Sequence, residues 1–392
     1  MIFPQLNAPL RNDSDFRAKI YEGHHKSISI LEDIQGLDMI KDFPIGDALH
    51  LIDLGIMKRF LTGWKSGSLG NKNAKWSSVE SQLVSDFMIK CKMPKEIRRP
   101  IRGLEHLPRW KGTEFRTFLL YVSIVVINKF FSCKDIYEHF LNFFCAIHIC
   151  VRQSQSKNNY QIARFLLLDF LEGVKLLYGN HMFCSNMHSL THLIDDVERF
   201  GSLDTFDAYP FESKLYGIKR MIRSGSLPLS QVARRVVEIQ QNLYAHKPFH
   251  PEAEQYKIAR KNLLPSELFH FIEKEKLEPY AAITLSHFCI NTKNKSDCWI
   301  LSKQHEVIMV TCIMCDASKK HISFYGNALQ NQYDYFLKPV KSSALQIYAS
   351  DLELQTSQVY SINDMFSKMV GVRTHDENLP KYVFIPLIHT MN

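Results

Sequence analysis

TEFRTFLLYVSIVVINKFF, residues 113–131, is the stretch on which the reading of this chain turns. It is apolar nearly all round, so a helix built from it has no solvent face and belongs at the centre of a helical layer. Its most apolar run, FLLYVSIVVI, covers ten residues, 118–127, and stops at Asn128. A bilayer span needs ~20. A buried core helix is expected, and no membrane segment.

Helical patterns surround this stretch from about 78 to 246. In SNMHSLTHLIDDVERFG the residues Met187, Leu190, Ile194 and Val197 form a core stripe, and Gly201 is a natural stop. LPLSQVARRVVEIQQNLYAH repeats the pattern through Val232, Val236, Ile239 and Leu243. On the other side, DALHLIDLGIMKRF (47–60) enters a helix through Leu51, Leu54, Met57 and then Leu61. GWKSGSLGNKNAKWSS (63–78) reads as a loop, and residues 1–43 as irregular. KPFHPEAEQYK leads into a connector over 251–281. From 282 to 392 the character changes. SDCWILSK, VIMVTCIMCD, HISFYGNAL, YDYFLKP, ALQIYAS, QVYSIND and YVFIPLIH are short β-branched and aromatic runs between turn residues. The expected class is α+β, with a small β-rich C-terminal domain.

The 392 residues are natural for two domains, and 45% hydrophobic content supplies a sizeable core. There are 48 Lys+Arg against 40 Asp+Glu, a net charge of +8. Residues 280–392 hold 10 and 9 of these, so residues 1–279 hold 38 and 31, or +7 of the +8. A polyanion-binding surface is therefore expected in the N-terminal part. Nine cysteines are scattered, several in apolar runs, which suits reduced buried thiols. No basic stretch followed by an apolar core opens the chain, so a nuclear or cytoplasmic location is expected and secretion is not.

Four features could carry chemistry. Asp47 stands three places before His50 and six before Asp53; an acid at a helix entry is also the usual N-cap. His188 and His192 have the i,i+4 spacing of a zinc helix, yet no third ligand is evident, and packing beside the core stripe or local hydrogen bonding is the better reading. Glu212 opens YPFESKLYGIKRMIR, followed by Lys214, Lys219, Arg220 and Arg223. KMPKEIRRPIRGLEHLPRWK (92–111) holds seven Lys+Arg, two Glu and three prolines, so it reads as an extended basic arm able to track phosphates or as a solvated face. Cys312 and Cys315 lack a second pair, and neither zinc nor redox use is indicated.

The ordered set FPQLNAPLRNDSDFRAKIYEGHH, GLDMIKDFPIGDALHLIDLGIMKRFL, LPRWKGTEFRTFLLYVSIVVI, NMHSLTHLIDDVERFGSLDTFDAYPFESKLYGIKR and LPLSQVARR resembles the transposase of the CACTA (En/Spm) superfamily of cut-and-paste DNA transposons. The resemblance covers residues 2–60 and 106–246, well over half the chain. It implies a partial RNase H-like core in 1–250 with a large helical insertion at about 75–205. In such enzymes three acids hold two Mg²⁺ or Mn²⁺ ions about 3.5–4 Å apart for strand cleavage and transfer. By the resemblance, Asp47-Ala-Leu-His50 corresponds to an Asp-x-Met-His motif, and Tyr209-Pro210-Phe211-Glu212 to a Tyr-Pro-Phe-Glu motif matched at every position. Asp47 and Glu212 become metal ligands, with His50 beside them.

The family's first aspartate would precede Met1, so cleavage is expected to be largely lost in this chain. Asp13 and Asp15 match the family's non-catalytic Asp-Phe-Arg region. Two readings follow. One is a catalytically incomplete transposase. The other is a non-catalytic, transposon-derived DNA-binding or protein-interaction protein, with Arg98, Arg99, Arg102, Lys111, Lys219, Arg220 and Arg223 on the nucleic acid. The implied partners are DNA at transposon ends and either a second copy or a full-length transposase chain.

Overall fold

The computed structural model describes residues 2–390 apart from 4, 22, 24, 26, 154, 246–255, 262–265, 286–287 and 317–320. The chain is α+β and divides into two compact units. The first comprises residues 1–90, 101–207 and 337–340; the second comprises 91–100, 208–336 and 341–392.

The first unit is helical. A short helix α1 (Asp13–Arg17) is followed by a wide π-type helix, Ala48–Met57, that continues into α2 (Lys58–Ser66). After α3 (Ser78–Lys90) come α4 (Gly112–Thr117), the π-type turn Phe118–Val122 and α5 (Ser123–Phe130). The long helices α6 (Lys134–Cys150) and α7 (Lys157–Leu177) pack on each other, and α8 (Ser185–Ser189) and α9 (Leu193–Phe200) complete the unit. Its centre is the stretch 113–131. Every residue from Phe118 to Ile127 is buried, as the all-apolar pattern requires. Among the described residues no helix is long and apolar enough to cross a membrane.

Aromatic packing binds the layer together. Phe60 lies 5.6 Å from Phe170 and 5.4 Å from Tyr178, and Trp64 meets Trp76 and Phe140 at 5.8 and 5.6 Å. His139 stacks on Phe170 at 4.7 Å. Gly173 is required there, because a Cβ would sit 2.3 Å from the His139 ring. The expected loop 63–78 is partly helix: α2 runs through Trp64 to Ser66, and Gly67 ends it at φ 82°. Trp64 and Trp76 are buried, so the segment belongs to the core. Met187, Leu190, Ile194 and Val197 form the expected buried stripe, and Gly201 caps α9 at φ 93°.

The second unit holds α10 (Tyr209–Met221), α11 (Pro228–Ala245), α12 (Phe269–Glu275) and every strand of the described residues. These strands are β1 (Tyr256–Lys261), β2 (Leu277–Leu285), β3 (Cys289–Asn291), β4 (Trp299–Ser302), β5 (Val307–Asp316), β6 (Ile322–Ala328), β7 (Tyr348–Ser350), β8 (Gln358–Ser361), β9 (Met365–Arg373) and β10 (Tyr382–Pro386). All pairings are antiparallel, in the order β1-β2-β5-β4-β9-β10-β7; β3 adds to β2, and β6 joins β5 to β8. Ile283, Ile300, Ile308, Val310, Phe324 and Met365 share one core, and Trp299, Leu301, Val307, Met369 and Phe384 another.

Six of the seven expected runs contain strands. The seventh, YDYFLKP, contributes one bridge, Tyr333 to Ala349. β1, β2, β3 and β9 were not expected. β2 contains Glu278 and Pro279, and β9 carries Lys368 at a fully buried position, all of which argue against a strand in sequence. On α11, the expected core residues Val236 and Ile239 are exposed, at 37% and 45%, and the side chain of Leu243 lies outside the described residues. KPFHPEAEQYK lies almost entirely outside them too.

Candidate functional site

Asp47 sits at the N-cap of the helix Ala48–Met57, in extended conformation at φ −103°, ψ 167°. One carboxylate oxygen accepts the His50 N–H at 2.9 Å. The other meets His50 Nδ1 at 2.9 Å, which selects the tautomer protonated on Nδ1. Both oxygens therefore serve the helix start. Residues 41–47, which lead into it, are turns and bends and form no strand. Asp196 holds them in place, its Oδ2 accepting the Ile45 N–H at 2.7 Å, and burial pushes its carboxyl above the ordinary range. No motif in the sequence marks this role of Asp196. Asp53 is buried in this helix, whose residues mostly face inward.

Glu212 lies in the exposed first turn of α10, directly after Pro210 and Phe211, where a carboxylate also complements the helix dipole. It belongs to the second unit and Asp47 to the first. Among the described residues no group of three or more His, Cys, Asp or Glu is placed to hold a metal ion. Asp13 accepts the Met39 N–H and Arg17 Nε, each at 2.8 Å, which keeps its carboxyl below the ordinary range and ties a loop.

His188 and His192 lie edge to face at 5.4 Å, and His188 also packs on Phe3. Burial, then the neighbouring His188, holds His192 below the ordinary imidazole value. Cys312 and Cys315 point to opposite faces of β5: Cys312 packs with Met314 and Tyr325, Cys315 with Ile313 and Phe324. They cannot share a ligand.

The basic candidates separate by their surroundings. Arg102 is half-buried and turned inward: its guanidinium grips both oxygens of the fully buried Glu114 at 2.7 Å and donates to the Arg109 carbonyl. Lys111 is exposed and supplies its main-chain N–H to the same Glu114 at 2.9 Å. Arg98 and Arg99 are exposed on the segment 91–100. Lys214, Lys219, Arg220 and Arg223 are exposed on and just after α10, and none forms an ion pair among the described residues. Arg220 stands over the Tyr216 ring at 6.0 Å.

A group that no motif signals lies in the second unit. Lys368, on β9, is fully buried. Its ammonium donates to Glu96 Oε2 at 2.8 Å, to Asp297 Oδ1 at 2.6 Å and to the Cys289 carbonyl at 2.6 Å, which uses all three of its donors. Glu96 Oε1 accepts the Cys289 N–H at 2.7 Å, and Asp297 Oδ1 accepts the Lys95 N–H at 3.0 Å. Asn294 holds the other Asp297 oxygen at 2.6 Å.

Residues 266–387 match the model of a family described as Domain of unknown function (DUF8592). The match runs from the turn before α12 through β10 and leaves out Glu96. No curated protein and no solved structure matches the chain.

Proposed function

We infer that this chain is a transposon-derived nucleic-acid-binding protein whose contact surface is the helical pair α10 and α11. The observation that carries this reading is the interleaving of exposed cations and exposed aromatic rings on α10. Lys214, Lys219, Arg220 and Arg223 alternate with Phe211 and Tyr216, which are 69% and 65% exposed. Cations of this kind neutralise phosphates, and exposed rings stack on bases. Residues 209–245 contain six Lys+Arg and two Glu, so the surface is strongly positive. The resemblance of α10 and its flanks to the CACTA transposases supplies the ancestry, and with it DNA as the partner and the nucleus as the location.

The test is binding of labelled duplex and single-stranded DNA across a salt series. A variant carrying Lys219→Ala, Arg220→Ala and Arg223→Ala is expected to bind more weakly and to lose about 2–3 from the log–log salt slope, near 0.9 per phosphate contact. An unchanged slope would sink the reading.

A second reading, metal-dependent strand cleavage within an RNase H-like core, has one observation in its favour: Tyr209-Pro210-Phe211-Glu212 is complete and Glu212 is exposed. Asp47 and Glu212 would hold Mg²⁺ or Mn²⁺, which would supply an activated water, with His50 orienting Asp47. The donor set does not fit such a cation as it stands, because both Asp47 oxygens are committed to His50. Nicking of DNA in Mg²⁺ or Mn²⁺ by the chain, abolished by Glu212→Gln, would replace the first reading with this one.

A further inference from the structure

We propose that the sheet unit contains a recognition site for a peptide that offers a glutamate on a turn, closed by the Ile97 N–H on the Pro94 carbonyl at 3.0 Å, and that residues 91–100 fill this site from within the same chain. The segment is separated from Lys368 by 272 positions, yet its glutamate ends on that lysine. Recognition is specific at two points. The carboxylate of Glu96 is read through both oxygens, by Lys368 Nζ and the Cys289 N–H. The main chain is read at the preceding residue, by Asp297 on the Lys95 N–H. Pro94 is buried beside them, and Lys92, Lys95, Arg98 and Arg99 remain outside.

Charge balance separates receptor from ligand. Lys368 and Asp297 form a neutral buried pair without any help from the segment. Glu96 adds a second carboxylate, so the filled site holds one cation and two anions. A sheet that needed this glutamate only for charge compensation would not already contain Asp297. Emptied, the site keeps one ammonium donor and the Cys289 N–H converging on a carboxylate-sized gap. That arrangement selects a glutamate presented on a turn, with the main-chain N–H before it free to reach Asp297.

The experiment uses the full chain with residues 93–99 replaced by Gly and Ser, and a labelled acetyl-KMPKEIRRP peptide followed by fluorescence anisotropy. The replaced chain is expected to bind the peptide. A peptide carrying Glu96→Ala should bind about tenfold more weakly or worse, as should the replaced chain carrying Lys368→Met. The unaltered chain should bind about tenfold more weakly as well, because its own segment competes at high effective concentration. If the replaced chain folds only when peptide is added, complementation supports the proposal equally. A folded replaced chain that ignores the peptide overturns it. So does binding indifferent to Glu96→Ala, or a chain that stays unfolded with peptide present.

Discussion

Replacing Lys368 by methionine should loosen the sheet unit more than any other single polar substitution in it. The lysine side chain is 0% exposed, and its partners Glu96 and Asp297 are 6% and 2% exposed. Methionine fills most of the volume and supplies no donor, so two carboxylates stay buried against each other. Removing one partner of a buried ion pair costs about 3–5 kcal/mol. Two stranded anions place this case at the upper end. In hydrogen exchange, that energy corresponds to an opening constant raised about 10²–10⁴-fold. Exchange followed by mass spectrometry on peptides from β4 and β9 reads it locally and needs no two-state assumption for the whole chain. Combining Lys368→Met with Glu96→Gln and Asp297→Asn should recover much of the loss, since neutral groups of similar volume replace buried ions well. Acceleration below about tenfold would refute the claim that the cluster anchors the sheet. A triple variant as unprotected as the single one would refute the electrostatic explanation.

Three further outcomes follow from the helical unit. Burial holds His139 at about 4 and His148 at about 3, below the 6.5 of an unfolded histidine. The unfolded chain therefore takes up protons first, so stability is full above pH 6.5 and falls as pH drops towards 4, by up to about 1.4 kcal/mol per pH unit for each group; a melting temperature that is flat from pH 7 to 5 would contradict this. Arg102→Ala should lower the urea midpoint, because it strands the buried Glu114, and should leave DNA affinity unchanged. Asp47→Ala should cost about 0.5–2 kcal/mol through loss of the helix cap while Asp47→Asn retains most of it, as read by exchange of the amides in 48–57.

The parts of the fold that could be read in the sequence were those where pattern and burial agree. Residues 113–131 have no polar face, and nothing but a buried helix accommodates them. The stripe from Met187 to Val197 and the stop at Gly201 follow the same logic. β9 was hidden because a lysine in mid-strand reads as a solvent-facing residue; only the remote Glu96 and Asp297 make its burial tolerable. The stripe on α11 misled in the opposite direction, since periodicity says that a helix has an apolar face and not that anything covers it. At the candidate site, spacing found the Asp47–His50 pair but could not tell a cap from a ligand. The proline-broken basic arm divided along lines composition does not show: Arg102 turns inward to Glu114, while Lys95 and Glu96 engage the sheet unit.

The ion cluster also has a consequence in time. Glu96 leaves the ribosome 272 residues ahead of Lys368. At about 5–20 residues per second, the glutamate is synthesised roughly 15–55 s before its lysine exists. During that interval the helical unit, complete by about residue 207 apart from 337–340, is free to form. The sheet must wait for β9. A nascent chain arrested before residue 368 would thus present a folded helical half and a solvated Glu96, with β2 to β8 made but their anchor still unmade.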